Sequence, residues 1–417
     1  LFRCHRLRRL RAGGRADRRN PVTESRIISR PWFPIDTRNY TMSGLTNHKH
    51  PAGQLTMPPL SEAYVRERLA GIQNPHVEAD LVSLGWVRGV GIDGACVSVD
   101  LRAGYPLQGV RDELASEIAR QLEADDQIEK AVVNLDWKVV AHAVQGELKP
   151  LEQIRNIVAV ASGKGGVGKS ATAVNLALAL QADGARVGVL DADIYGPSMP
   201  RMLGVKGQPQ TVGNRIVPQQ AHGLQVMSIG FMVEEDTPMI WRGPMVTSAL
   251  QQLLTETNWD SLDYLVVDLP PGTGDASLSL AQSLSLTGAI IVTTPQDIAL
   301  LDARRAVHMF RKVDVPVLGV VENMSTHICT ACGHEEAIFG HGGGEQMAKD
   351  FDIPLLGQLP LTMEIRSSLD AGTPTMMQNL DSHIAKSYRK LALRAVGALS
   401  VMPRSMTLKM PEIVVQN

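Results

Sequence analysis

Aromatic residues make up only 4% of this 417-residue chain. That leaves few flat surfaces on which single-stranded nucleic acid could stack. Long apolar runs are missing too: none would span a bilayer as a helix. Cysteine is scarce. Cys4, Cys96, Cys329 and Cys332 are too few for a disulfide scaffold in a chain of this length. Nor is there a surplus of positive charge. The formal net charge is -2, and residues 1–41 alone hold eleven Arg against three acidic residues, so the rest carries -10. An acidic body argues against general nucleic-acid binding, which needs cations to neutralise phosphates.

The Arg-rich start lacks the apolar middle of a secretory signal. It reads as a disordered basic leader over 1–56, with Met42 and Met57 as alternative starts. An organellar transit peptide has the same Arg-rich, acid-poor character. Without a secretory signal the expected compartment is reducing, and the expected location is cytoplasmic. What remains is ordinary globular material, 44% hydrophobic and 20% charged.

Residues 57–145 are expected to form a small α+β domain. Ser61 can cap a helix with Val65, Leu69 and Ile72 on one face. A strand is predicted over Leu81–Val87, and Asp93-Gly94 signals a tight hairpin into Val97, Val99 and Leu101. A second helix runs from Val110 to Glu123, and Ala131–His142 alternates as a further strand. A polar linker over 146–154 follows. From 155 to 400, apolar strands alternate with helical stretches: Ile157–Ala161, Arg186–Leu190, Tyr264–Asp268, Ala289–Thr293 and Val317–Val321. That pattern predicts an α/β fold with a mostly parallel sheet flanked by helices. Leu380–Leu399 reads as a closing helix and 401–417 as a tail.

The chemistry is concentrated after the first of these strands. Gly163-Lys164-Gly165-Gly166-Val167-Gly168-Lys169-Ser170 lies between the strand and a helix over Ala171–Leu180, the setting of a phosphate-binding loop. Its glycines let backbone N–H groups turn inward around phosphates, and the helix N-terminus adds partial positive charge. Lys169 is expected on the terminal phosphates and Ser170 on Mg²⁺. Lys164 is an extra cation, placed to offset charge in the transition state. A dinucleotide-binding dehydrogenase is excluded by the Lys-Ser ending.

Acidic partners follow at strand ends, where doubly wound sheets bind ligands. Asp193 is the candidate to orient or deprotonate the attacking water, and Asp191 to support the phosphate or Mg²⁺. Asp268 fits the role of holding Mg²⁺ through water, and the Pro270-Pro271-Gly272-Thr273-Gly274 turn is placed to sense the γ-phosphate. Further on, Cys329 and Cys332 present two thiolates to one metal, with zinc and iron–sulfur both chemically allowed. Two ligands do not complete a tetrahedral site. Either another part of the chain helps, with His334 and His341 nearby, or two subunits each give a pair.

Together these motifs resemble the Mrp/ApbC family of iron–sulfur cluster carrier ATPases, within the MinD-like deviant-Walker group. The matching residues are Gly163–Ser170 with Lys164, Asp191–Ser198, Trp241-Arg242-Gly243-Pro244, Asp268–Asp275, Thr294-Pro295-Gln296-Asp297, and Glu322-Asn323-Met324 followed by Cys329 and Cys332. Residues 58–145 resemble the MIP18-type domain that often precedes the ATPase in bacterial members. The resemblance implies ATP and Mg²⁺ at Gly163–Ala171, Asp191 and Asp268, with Asn323 reading the adenine. It implies a homodimer in which Lys164 reaches the partner's nucleotide. Cys329 and Cys332 of two subunits would bridge one [4Fe-4S] cluster. Apo iron–sulfur proteins and cluster scaffold proteins would be partners, with no nucleic acid and no stable membrane association.

Two departures stand out. Ala171 replaces the usual Thr, which removes a hydroxyl from the α-phosphate. Arg102-Ala103-Gly104-Tyr105-Pro106 lacks the Cys of free-standing MIP18-type proteins, so Cys96 inherits no cluster role and the small domain is expected to be a recognition module. Two other readings stay open. One is a MinD-like regulator that cycles on membranes through the basic helix carrying Lys386, Arg389, Lys390 and Arg394. The other is an ATPase with a structural zinc at the dimer seam.

Overall fold

Alternation of buried and exposed side chains builds the first sheet. The computed structural model describes residues 59–405, except 147, 195, 233–242 and 330–331. Helix α1 (Glu62–Ala70) is capped by the Ser61 hydroxyl, which accepts from the Tyr64 N–H. Strands β1 (Val87–Asp93) and β2 (Cys96–Ala103) form an antiparallel hairpin that closes with Asp93 opposite Cys96. Gly94 takes φ 59° in that turn. Helix α2 (Arg111–Leu122) crosses over, and β3 (Lys130–Trp137) joins β2 in parallel. Along β2, Val97, Val99, Leu101 and Ala103 all point into the core.

The order α-β-β-α-β is as expected, but two strand positions differ. The first strand starts at Val87 and does not occupy Leu81–Val87. Asp80 Oδ1 accepts from the N–H groups of Val82 and Ser83, and Gly85 sits at φ 64°, so 81–85 coil into turns. The third strand ends at Trp137, well before His142. His142 is buried, with its Nδ1 2.9 Å from Asn156 Oδ1 on the next strand.

The larger sheet takes the rest of the chain. In order come β4 (Ile154–Ser162), α3 (Lys169–Ala182), β5 (Val187–Asp191), α4 (Met199–Met202), the small ribbon β6 (Thr211–Val212) and β7 (Arg215–Ile216), β8 (Gln219–Ala221) and β9 (Leu224–Ser228). Then follow α5 (Gly243–Glu256), β10 (Leu262–Asp268), α6 (Asp275–Ser283), β11 (Gly288–Thr293), α7 (Asp297–Lys312), β12 (Val317–Ile328) and β13 (Glu335–Glu336). The chain closes with α8 (Gly343–Phe351), β14 (Leu355–Leu361), α9 (Met363–Asp370), α10 (Thr375–Gln378) and α11 (His383–Ser400). Strand order across the sheet is β14-β12-β11-β4-β10-β5-β9-β8, and β13 pairs with the far end of β12. Neighbours run parallel except at β8 and β13. This is the expected α/β architecture with a small α+β addition.

Helices cover both faces. On β4, Val158 and Val160 pack with α3 and α11, while Ile157, Ala159 and Ala161 pack with α5, α6 and α7. The first of these cores continues without a break into the small sheet, through Leu101 and Ile118, and from Pro58 on the chain forms one compact unit. The expected leader over 1–56 and the tail beyond 405 lie outside the described residues. Among the described residues no helix is long and apolar enough to cross a membrane.

Candidate functional site

The phosphate loop connects the central strand β4 to α3. Gly166 and Gly168 take φ 83° and 82°, a backbone that L side chains rarely adopt. Gly163 is required for a different reason. A Cβ there would collide with the backbone of Asp302, because α7 runs directly against the loop. On the other flank the Gly272 N–H donates to Ser162 O at 2.9 Å, which seats the Pro270-Pro271-Gly272 turn beside the loop.

Two carboxylates converge on one ammonium. Lys169, at the start of α3, is buried with its Nζ 2.6 Å from Asp268 Oδ1 and 3.4 Å from Asp193 Oδ2. Asp268 ends β10 and Asp191 ends β5, directly opposite each other across the parallel pair. Burial holds the Asp268 carboxyl above the usual carboxylate range, against the pull of Lys169 and Ser170. Burial, and then the Asp268 charge, push Asp191 up to about 7. Asp268 Oδ2 is buried without a hydrogen-bond partner, an acceptor left over for a cation or its water.

Asp191 is engaged in a different way from Asp193. Its Oδ1 accepts from the Asp193 N–H, and its Oδ2 accepts from Ser198 N, Met199 N and Ser228 Oγ. It therefore shapes the loop that carries Asp193. The Lys164 ammonium makes no ion pair among the described residues, although Lys164 O accepts from Ser162 Oγ. Ala171 lies in the first turn of α3, and the next residue, Thr172, donates its hydroxyl to Gly168 O at 2.9 Å.

Strand β12 reaches the loop from the side. Asn323 is buried, and its Nδ2 donates to Val167 O at 2.9 Å, so here its amide holds the loop backbone. Met324, next to it, has φ 58°, a strained position for a residue of this size. Glu322 is fully buried. It accepts from Gly344 N at the start of α8, from Ser325 Oγ and from Gln358 Nε2 on β14. These roles of Glu322 and of Ser228 had no local signal in the sequence, because their partners are distant along the chain.

The cysteine pair sits where β12 runs out beyond the sheet. His327 pairs with Glu336 and Ile328 with Glu335. The Cys329 N–H donates to His334 O, and the Gly333 N–H to Cys329 O, which closes a hairpin. Cys332 is exposed and Cys329 half-buried, and neither is in a disulfide. Among the described residues no three His, Cys, Asp or Glu side chains converge into a metal site. Trp241 and Arg242 lie outside the described residues, as does Tyr195.

The family described as NUBPL iron-transfer P-loop NTPase matches residues 153–396, and the family described as iron-sulfur cluster assembly protein matches residues 62–135. The chain is 47% identical over 360 residues to the iron-sulfur cluster carrier protein of Haemophilus influenzae, across 83% of this chain and 95% of that protein. It is 50% identical over 258 residues to the iron-sulfur cluster transfer protein NUBPL of Mus musculus, across 61% of this chain and 81% of that one. Among solved structures, the nucleotide-binding protein of Archaeoglobus fulgidus in complex with ADP is similar over 56% of this chain and 96% of its own, at 33% identity and a TM-score of 0.49. With its phosphate loop, its strand-end carboxylates and this match over more than half its length, the chain belongs to the NUBPL iron-transfer P-loop NTPase family.

Proposed function

We propose that the chain is an ATP-hydrolysing carrier that holds a [4Fe-4S] cluster between two copies of itself and passes it to apo-proteins. The observation that carries this reading is strand β12. Asn323 on it touches the phosphate loop, and Cys329 follows its last residue. Six residues reach at most roughly 20 Å, and less across the irregularity between Asn323 and His327. One continuous stretch of chain, kinked at the left-handed Met324, thus joins the nucleotide site to the thiolates.

The residues divide the work as follows. Lys169 exchanges its carboxylates for phosphate oxygens of ATP. Asp268 and the Ser170 hydroxyl would hold Mg²⁺, which would supply charge neutralisation at the phosphates. Asp193, freed from Lys169, orients the attacking water. Lys164, without an acidic partner among the described residues, is available to the nucleotide of a second copy. Each chain contributes Cys329 and Cys332, and two chains complete the four thiolates of a cluster.

The relatives named as cluster carriers support the cargo. The membrane-cycling alternative has no support from α11. Its apolar face, including Ile384, Tyr388, Leu391 and Val396, is already buried against α3 and β14.

Anaerobic reconstitution with iron and sulfide tests the reading. Wild type should gain a visible iron–sulfur spectrum and about four irons per two chains. A Cys329→Ala, Cys332→Ala variant should bind ATP and stay colourless. A coloured variant, or a wild type that takes up zinc and no cluster, would sink the proposal.

A further inference from the structure

The small sheet carries a charged feature that neither the nucleotide nor the cluster uses. Where the sheet meets the end of α11, a cleft of about 160 Å³ opens. The half-buried Leu84 and Val140 contribute to its apolar base, and Arg88, Arg102, Lys138 and Arg404 stand around it. Among the described residues no carboxylate lines it. Arg102 has one acidic neighbour, Asp136, at 3.6 Å, and both side chains are well exposed, so the pair is weak. The side chains of Arg88, Lys138 and Arg404 make no ion pair among the described residues.

Tertiary structure assembles this cluster. Arg88 is on β1, Arg102 near the end of β2 and Lys138 just past β3. Arg404 arrives from beyond α11. Backbone bonds from Ala143 N to Pro403 O and from Ser405 N to Ala141 O tie its segment down. Four like charges set around one cleft repel each other. They do so in a chain that is acidic outside its leader. A ligand that brings negative charge relieves the repulsion.

Size and lining narrow the ligand. The cleft is smaller than the roughly 300 Å³ at which pockets for drug-sized molecules begin, so it does not accept a nucleotide. It has room for one or two side chains. A bare phosphate would satisfy the cations and leave the apolar base unused. A peptide with carboxylates flanking an apolar residue uses both.

We propose that this cleft binds an acidic peptide segment of a partner protein, with carboxylates on Arg88, Arg102, Lys138 and Arg404 and an apolar side chain toward Leu84 and Val140. The proposal does not depend on what the cysteine pair carries. Fluorescence anisotropy on the full chain tests it, with a labelled Glu-Glu-Leu-Glu-Glu-Leu peptide and its counterpart with Gln for Glu. The acidic peptide should bind saturably and weaken with added salt, and the Gln peptide should bind at least about tenfold more weakly. A Lys138→Gln, Arg404→Gln variant should lose about tenfold or more for the acidic peptide, with ATP hydrolysis and thermal melting unchanged. If that variant melts early, the single exposed change Arg88→Gln gives the same reading. No saturable binding, or equal binding by a folded variant, overturns the proposal. Displacement of the peptide by inorganic phosphate, at concentrations no higher than the peptide's own Kd, overturns it in favour of a small-anion site.

Discussion

At the N-terminal end of α3, Lys169 lies 2.6 Å from Asp268, and past its last turn Asp183 lies 2.6 Å from Arg389 of α11. Both aspartates are fully buried. The surroundings differ. Against Lys169 stand two carboxylates, those of Asp193 and Asp268, with Asp191 opposite Asp268 on the next strand and a glycine loop beside them. Around Asp183 the count is one to one, although Asp183 Oδ2 and Arg389 Nε are, like Asp268 Oδ2, buried without a hydrogen-bond partner. Asp183 Oδ1 accepts from Gly109 N as well as Arg389, and its carbonyl accepts from Gln108 N. Trp137 and Gln108 close over Gly184 beside it. The rear pair is neutral and ties the small sheet to the phosphate-loop helix. The front group has more carboxyls than cations, and burial holds Asp191 and Asp268 toward their neutral forms, which a divalent cation would reverse. A buried pair in balance serves as a fastener, and one out of balance marks a site.

Removing the cation at each end should separate these uses most sharply. Lys169→Ala should lower ATP turnover by about 10³-fold or more, while the chain stays folded, because Asp268 can take up a proton in place of its lost partner. Steady-state hydrolysis alongside a thermal melt checks both halves. Near-normal turnover would remove Lys169 from the site. Arg389→Ala should do the reverse, costing about 3–5 kcal/mol of stability by stranding a buried carboxylate, with turnover per folded molecule unchanged. The double variant Asp183→Ala, Arg389→Ala should cost less than the two singles added, since no lone charge remains. Strict additivity in denaturant titrations would show that the pair is not coupled.

A smaller probe of the rear end is Gly109→Ala. The added Cβ would collide with the Arg389 guanidinium and lie 2.7 Å from Asp183 Oδ1. We expect a loss of about 1–3 kcal/mol and no effect on nucleotide affinity. A wild-type melting curve would mean that the small sheet can shift on α11 without strain.

The two ends also differ in how they could be read. The front was legible because its chemistry is local. Eight consecutive residues, Gly163–Ser170, carry the loop, and Asp268 closes a plain apolar strand. The rear was not, because Gly109, Asp183 and Arg389 come from three distant segments, and Asp183 reads as an ordinary polar helix end. The same distance hid the cationic cleft, where Arg404 joins residues of the small sheet. Strand β14 escaped notice for a compositional reason: Leu355–Leu361 has no β-branched residue and contains a Gly and a Pro. The 81–85 turns were missed because Leu81, Val82 and Leu84 are apolar, and only the Asp80 side chain reveals the bend.

His76 tests the seam between the small sheet and α11 most gently. Its backbone lies against Gly397, and its Nδ1 is 3.2 Å from the Tyr105 hydroxyl. Burial, and then the charges of Arg394 and Lys390 on α11, lower its pKa to about 4. In the unfolded chain it titrates near 6.5. Between these values the unfolded state binds more protons, so stability rises with pH across the window. The contribution is complete above about pH 6.5 and is lost as pH falls toward 4. Between pH 6.5 and 5.5 the loss should be about 1 kcal/mol. Denaturant titrations at the two pH values measure it, and His76→Gln should remove that share of the slope. An unchanged slope in the variant would place the acid sensitivity elsewhere and leave the seam indifferent to proton uptake.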